Sequence, residues 1–382
     1  MRVLILSKAL LSVEYRRKTD ALAALPDIDL HVAIPAYWQE PRAQRVEYEP
    51  GATPNYQVHV LPMRFNGRHH LHYYPTFGRL VRRIRPDVVH VDEESFNLAT
   101  CHALWHAHRI GAATCFYNYA NIARTYPPPF GWFERYAFAT ARAALACSHE
   151  AADIIRNHGY RGALHIIPQT GVDPERFTPR LGAQSARTPF TVGYVGRLVP
   201  EKGVDDLLAA VALLPETARL LIVGSGSHAD VLHTHASRLG VAARITWHTP
   251  VPTHAMPSIM QQCDALVLPS RTTANWKEQF GRVLVEAMAC GVPVVGSSSG
   301  EIPHVVGDGG LIYTEGDCNA LAARLHTLMH DDACYATLSA AARQRVLTHY
   351  TQQALAQRYA DIYCELNASR FSMRPSPTPP DA

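Results

Sequence analysis

No apolar run in this chain is long enough to cross a bilayer. The longest are strand-sized, against the about 20 residues that a spanning helix needs. Net charge is also scarce, +3 over 382 residues, so bulk electrostatics gives no reason to expect a nucleic-acid partner. None of the eight cysteines forms a Cys-x-x-Cys pair. Cys115, Cys147 and Cys290 lie in apolar surroundings, as small buried hydrophobes do in a reducing compartment. Residues 1–7 lack the longer apolar core and small-residue cleavage site of a signal peptide, and read as a first buried strand. The expectation is a soluble, cytoplasmic protein.

Hydrophobic residues make up 47% of the chain and charged ones 18%, a globular composition with length enough for two domains. Short apolar runs alternate with helical patterns through both halves. In the first half the strand candidates are 2–6, 30–34, 57–61, 87–91, 113–117, 143–146 and 164–167. In the second they are 191–195, 220–223, 244–247, 265–268, 292–295 and 311–313. This order implies α/β domains with parallel sheets covered by helices on both faces. The junction falls between Gly171 and Pro189. The tail, 371–382, is too rich in proline for regular structure and reads as disordered.

The most informative stretch begins at Trp276. Glu278 and Glu286 stand eight positions apart, with Phe280-Gly281 between them. Phe280, Val283, Leu284, Ala287 and Met288 follow helical spacing, which predicts one inward face. Gly291 ends the helix and Pro293 prevents its return. Gly281 opens it, leaving N–H groups and the positive end of the dipole for an anion such as a diphosphate. Glu286 lies about 7 Å along the axis from Gly281, by the helical rise. Carboxylates at both places suit hydroxyl recognition.

This segment resembles the donor motif of the retaining family-four (group 1) glycosyltransferases, a glutamate, seven residues and a second glutamate. The Phe-Gly, the helix and the Gly-x-Pro strand entry match as well. The segment Gly171-Val172-Asp173, with Phe177 and Pro179, also resembles that family's interdomain junction. The resemblance implies the GT-B architecture, two Rossmann-like domains facing a cleft, with the last helix crossing back to the first domain. On that basis residues 1–175 form the acceptor-binding domain and 190–350 the nucleotide-sugar donor domain, with a helix at about 351–370 returning to the first.

Gly196-Arg197 and Lys202-Gly203 follow a strand end, where open parallel sheets bind ligands. Arg197 can fork two bonds to phosphate and Lys202 adds a point charge. The resemblance makes them the groups that hold the diphosphate and stabilise its departure, with Glu278 on the sugar and Glu286 on the ribose. Gly196, Phe280, Gly281, Arg282 and Val283 complete the expected donor set, and Val251 lies near the base by family position. Gly224-Ser225-Gly226 fits a dinucleotide fingerprint, but the next strand ends without the acid that NAD binding requires. A tight turn at Gly224, close to the nucleotide or purely structural, is the alternative.

The first half is softer. A Gly-rich first loop is missing; Lys8 takes that place and is a candidate for the donor phosphates. The family's His-Asp pair is missing too, with Ala120 where the His would stand, and Asn118 and Asn121 are the candidate substrate contacts. No acidic residue occurs between Pro50 and Pro86, where Arg64, Arg68, Arg79, Arg82, Arg83 and Arg85 cluster with histidines. Either a solvated helix face or peripheral contact with an anionic inner membrane surface accounts for that run. No nearby carboxylate or cysteine completes a site with His102, His106 and His108, and Asp27-Ile28-Asp29 precedes a strand instead of following one, so no metal site is expected. The resulting expectation is a metal-independent retaining hexosyltransferase. It would use a nucleoside-diphosphate sugar as co-substrate, UDP or GDP first, with no other cofactor and a hydroxyl acceptor. A sugar-nucleotide epimerase of the same architecture and a non-catalytic nucleotide-sugar-binding subunit are the alternatives.

Overall fold

The computed structural model describes residues 1–40, 45–49, 55–180 and 189–372. The chain divides into two compact units, Met1–Thr170 together with the helix Gln352–Ser372, and Gly171–Thr351. Val172 belongs to the second unit because its N–H donates to Tyr350 O at 2.8 Å. Phe177 follows it into that unit's core.

The first unit contains β1 (Arg2–Leu6), β2 (Asp29–Pro35), β3 (Tyr37–Gln39), β4 (Arg45–Glu47), β5 (Gln57–Leu61), β6 (Val88–Val91), β7 (Ala113–Asn118), β8 (Ala143–Ala146) and β9 (Ala163–Ile166). β3 and β4 make a small antiparallel ribbon. The other strands form one parallel sheet in the order β5-β2-β1-β6-β7-β8-β9. Val3, Leu4, Ile5 and Leu6 of β1 are all buried, as are Val88, Val89 and Val91 of β6. Helices cover both faces of such a sheet, which is why its central strands read as unbroken apolar runs. Sheet order reverses direction between β1 and β6. Ligands bind beyond the strand ends at such a switch point, and there Lys8 follows β1 and Asp92 follows β6.

The second unit repeats the plan with β10 (Phe190–Val195), β11 (Ala218–Val223), β12 (Ile245–His248), β13 (Ala265–Leu268), β14 (Val294–Ser297) and β15 (Gly310–Tyr313). Its sheet order is β12-β11-β10-β13-β14-β15, so the switch point lies between β10 and β13. Two apolar clusters fill the space on the sheet's faces.

The helix Gln352–Ser372 packs against the helix Val13–Ala23 of the first unit. Tyr363 OH and His90 Nδ1 are 2.7 Å apart, and Lys18 Nζ lies 4.4 Å from the centre of the Tyr359 ring. The chain therefore returns to its first unit at the end. Residues 373–382 of the Pro-rich tail, and 181–188 of the junction, lie outside the described residues.

Three sequence expectations shift. The ribbon β3–β4 is not anticipated. Arg244 precedes β12 because its guanidinium binds the carbonyls of Ala218, Leu214 and Pro215. The helix Arg282–Ala289 is buried well beyond one stripe: Val285 and Glu286 are buried along with Leu284, Ala287 and Met288, while Val283 is only half-buried. It is surrounded, since it packs on β13 and on the helix Asp332–His349, and a helix covered on several sides is apolar beyond a single face.

Candidate functional site

Three strand-end segments converge at the second unit's switch point: 196–203 after β10, 224–228 after β11 and 270–281 after β13. The first two are joined by backbone bonds. Gly196 N–H donates to Val223 O at 3.0 Å, Leu198 N–H to Ser225 O at 2.9 Å, and His228 N–H to Leu198 O at 2.9 Å. Gly224 is required by this approach, because a Cβ there would lie 1.9 Å from Gly196 O. A cavity of about 180 Å³ opens beside the joined loops, lined by Gly196, Arg197, Gly224, Val251 and their neighbours. Arg197 extends outward, with its side chain 64% exposed and Glu201 at 3.9 Å.

Glu278 is buried beside this loop pair, and its Oε2 accepts from Lys202 Nζ at 2.5 Å and from Ser270 Oγ at 2.8 Å. Lys202 Nζ also stands 4.8 Å from the centre of the Trp276 ring. Ser270 is itself fixed, its carbonyl accepting from Ser297 Oγ at 2.5 Å. The backbone of Glu278 is tied down by Glu301 N–H, which donates to its carbonyl at 3.0 Å. The arrangement is a rigid carboxylate with a lysine on one oxygen and, among the described residues, no protein partner on Oε1.

Gly281 caps the helix Arg282–Ala289 with φ +75°, a left-handed conformation that favours glycine. A Cβ there would also meet Leu268 Cδ2 at 2.8 Å. Glu286 is one helical turn past Arg282, whose Nε donates to Glu286 Oε1 at 2.8 Å. Phe280 sits half-buried with its ring 5.8 Å from that of Tyr350.

A profile described as "Glycosyl transferases group 1" matches residues 181–345, and one described as "Glycosyltransferase Family 4" matches residues 19–176. A GDP-mannose-dependent alpha-(1-6)-phosphatidylinositol monomannoside mannosyltransferase of Mycolicibacterium smegmatis is 31% identical over 63% of this chain and 69% of its own length. The chain belongs to the group 1, family-four glycosyltransferases. A D-inositol 3-phosphate glycosyltransferase of Stackebrandtia nassauensis is 37% identical, over 46% of this chain and 43% of that relative's length. Among solved structures, Anabaena HepE in complex with UDP superposes with a TM-score of 0.72 at 20% identity, over 96% of this chain and 100% of that one. The fold of this glycosyltransferase is accordingly GT-B.

Its first unit holds a larger cavity, of about 340 Å³, at the switch point between β1 and β6. Lys8 lines it, with its ammonium bound to Glu93 Oε2. Asp92 forms part of the floor. It accepts from Ser7 Oγ at 2.6 Å, from Tyr119 OH, and from Gln169 Nε2 at 3.4 Å. Burial pushes the Glu93 carboxyl up, but Lys8 and His72 outweigh it and hold the group at about 2. Glu94, where burial prevails with Glu93 adding to it, is pushed up to about 8. Glu94 Oε1 accepts from Tyr119 N–H at 3.0 Å, and its Oε2 is buried with no hydrogen-bond partner among the described residues.

Asn118 and Asn121, the candidates in this half, are buried on either side of Tyr119, and Tyr119 is the residue of that stretch that lines the cavity. The run Asp92-Glu93-Glu94 went unnoticed in the sequence, although three acids directly after a buried parallel strand are a signal by placement. Ser270 carried no such signal. His102 and His106 pack edge-on with ring centres 4.6 Å apart, and His102 meets Tyr73 edge-on at 5.3 Å. Asp29 pairs with Arg2 at 3.0 Å at the start of β2. Arg79, Arg82 and Arg83 stand exposed on the helix Phe77–Ile84, whose Phe77, Leu80, Val81 and Ile84 are buried.

Proposed function

We propose that this chain transfers a hexosyl group from a nucleoside-diphosphate sugar, UDP- or GDP-linked, to an acceptor hydroxyl, with retention at the anomeric carbon and without a metal. The observation that carries this reading is the fixed Lys202–Glu278–Ser270 group beside the joined loops at the switch point. Glu278 Oε1 faces no protein donor among the described residues and is placed to take sugar hydroxyls. Arg197, Lys202 and the N-terminus of the helix Arg282–Ala289 are the charges that neutralise the departing diphosphate. Glu286 is the ribose ligand in this reading. The diphosphate itself takes the acceptor proton as the acceptor attacks from the face it leaves, so no separate base is required. The GDP-mannose in one relative's name and the UDP in one neighbour's complex support the nucleotide choice.

Nucleotide release is measured from UDP-, GDP- and ADP-sugars, with and without candidate acceptors, in excess chelator. Acceptor-dependent release that survives the chelator is expected. Complete loss restored by magnesium or manganese would overturn the metal-free mechanism. Donor converted to its epimer without release, or bound without turnover, would overturn the transferase reading.

Peripheral contact with an anionic membrane is part of the same proposal. The exposed arginines of the helix Phe77–Ile84 are the supporting feature. Cosedimentation with phosphatidylglycerol vesicles, weakened by salt, is the expected result; equal binding to neutral vesicles would count against it.

A further inference from the structure

The cavity of the first unit carries an unusual charge arrangement. Among the described residues that line it only Lys8 is cationic, and its ammonium is already bound by Glu93, which is 1% exposed. Two other lining residues, Asp92 and Glu40, are acids. Glu40 Oε1 accepts from Trp38 Nε1 at 3.0 Å. Two nearby cations on the helix Val13–Ala23 do not restore the balance. Arg16 Nη1 donates to the carbonyls of Leu10 and Leu11 at 2.8 Å, and Lys18 is buried over the Tyr359 ring. Neither lines the cavity.

A phosphate group placed here would meet Asp92 and Glu40, with no unpaired ammonium or guanidinium among the described lining residues to hold it. Like charges at short range in a partly desolvated site repel strongly. Hydroxyl groups meet the opposite chemistry. A carboxylate offers about four lone-pair positions, and Ser7, Tyr119 and Gln169 fill only part of those on Asp92. Trp38 and Tyr15 add aromatic surface for the apolar face of a ring. The volume, about 340 Å³, falls at the lower end of the range for small-molecule sites, about 300–1,000 Å³.

We propose that this cavity receives the acceptor as an uncharged sugar or polyol, and that Glu93, by holding Lys8, excludes acceptors phosphorylated on the portion that enters. The inference rests on the transferase reading above and adds the chemical class of its acceptor.

The full chain, with UDP and GDP at saturation to fill the donor side, is titrated with methyl glucoside, methyl mannoside and myo-inositol. It is titrated in parallel with glucose 6-phosphate, mannose 6-phosphate and inositol 3-phosphate. Tryptophan fluorescence and thermal stability report binding. At least one neutral probe should bind saturably, and its phosphorylated counterpart about tenfold more weakly or not at all. Glu93→Gln should narrow that gap by gaining the phosphorylated probe. Equal or tighter binding of the phosphorylated form by the wild type overturns the proposal, as does failure of every neutral probe to bind. Should Glu93→Gln not fold, the near-isosteric double variant Lys8→Met/Glu93→Gln replaces it. That variant should keep the neutral probe and still reject the phosphorylated one, and a gain of phosphate binding without the ammonium would overturn the role of the pair. None of these measurements needs turnover. A protein that releases no nucleotide from any donor would lose the transferase reading and leave these results interpretable.

Discussion

Glu278 and Glu286 are both buried acids paired with a cation, yet they should fail differently. Glu286 is assigned to the ribose, a contact present before and during reaction. Glu286→Ala should weaken free nucleoside diphosphate by about 1.5–3 kcal/mol, roughly a tenfold to hundredfold loss of affinity. Glu278 is assigned to the sugar, which the free nucleotide lacks. Glu278→Gln should bind free nucleotide nearly as the wild type does and lose kcat more than KM. Calorimetry beside steady-state kinetics checks both, and the reverse pattern would swap the two roles. A second residue-scale prediction concerns Glu94. In the folded protein it keeps its proton to about pH 8, whereas the unfolded chain releases it near the ordinary value of 4.5. The folded state binds that proton more tightly, so the contribution is complete below about 4.5 and is lost as pH rises through about 8. Glu93 has the opposite sign: its contribution is present above 4.5 and is lost as pH falls toward about 2. Melting temperatures of Glu94→Gln and wild type, compared across this range, should move in the variant's favour as pH rises. A constant difference would mean that the Glu94 carboxyl titrates alike in the folded and unfolded chain. Glu278, Gly281 and Glu286 were singled out in the sequence because they stand in, or just before, one helix with a clear pattern. Ser270 and the Lys8–Glu93 pair were not, because their partners are brought close only by strand order.

At the scale of elements, the joined loops 196–203 and 224–228 are the feature most sensitive to a single atom. The Cβ of Gly224→Ala would press on Gly196 O. Overpacking of this kind typically costs about 1–3 kcal/mol, and the loops must separate to relieve it. A lower urea midpoint together with weaker nucleotide binding is expected. Unchanged binding at reduced stability would show that the turn is structural only. Most strands were readable as apolar runs, since a parallel sheet buried on both faces leaves little room for polar residues. The ribbon β3–β4 was not, because Tyr37–Gln39 is a three-residue strand, too short to show alternation. The burial of the helix Arg282–Ala289 also exceeded its pattern, because periodicity reports one neighbour and this helix has several.

At the scale of the molecule, the first unit is discontinuous in sequence. Its core includes Leu355, Tyr359, Ile362 and Tyr363 from the last helix. Truncation after Thr351 should leave the apolar faces opposite that helix uncovered, along with Lys18 and His90. The shortened chain should aggregate or bind hydrophobic dye, and a soluble, cooperatively melting product would refute this. Periodicity made the helix itself visible in the sequence. The fully buried lysine, histidine and tyrosines that it seals are separated by hundreds of residues, and no local pattern connects them. A ribosome delivers this chain from the N-terminus, so the second unit, Gly171–Thr351, has every residue it needs before the first can close. The half that starts first must finish last, carrying an open flank through the synthesis of its neighbour. Such a flank is where holding chaperones and misassembly compete, so slowing translation just before residue 352 should lower the yield of the first unit while sparing the second.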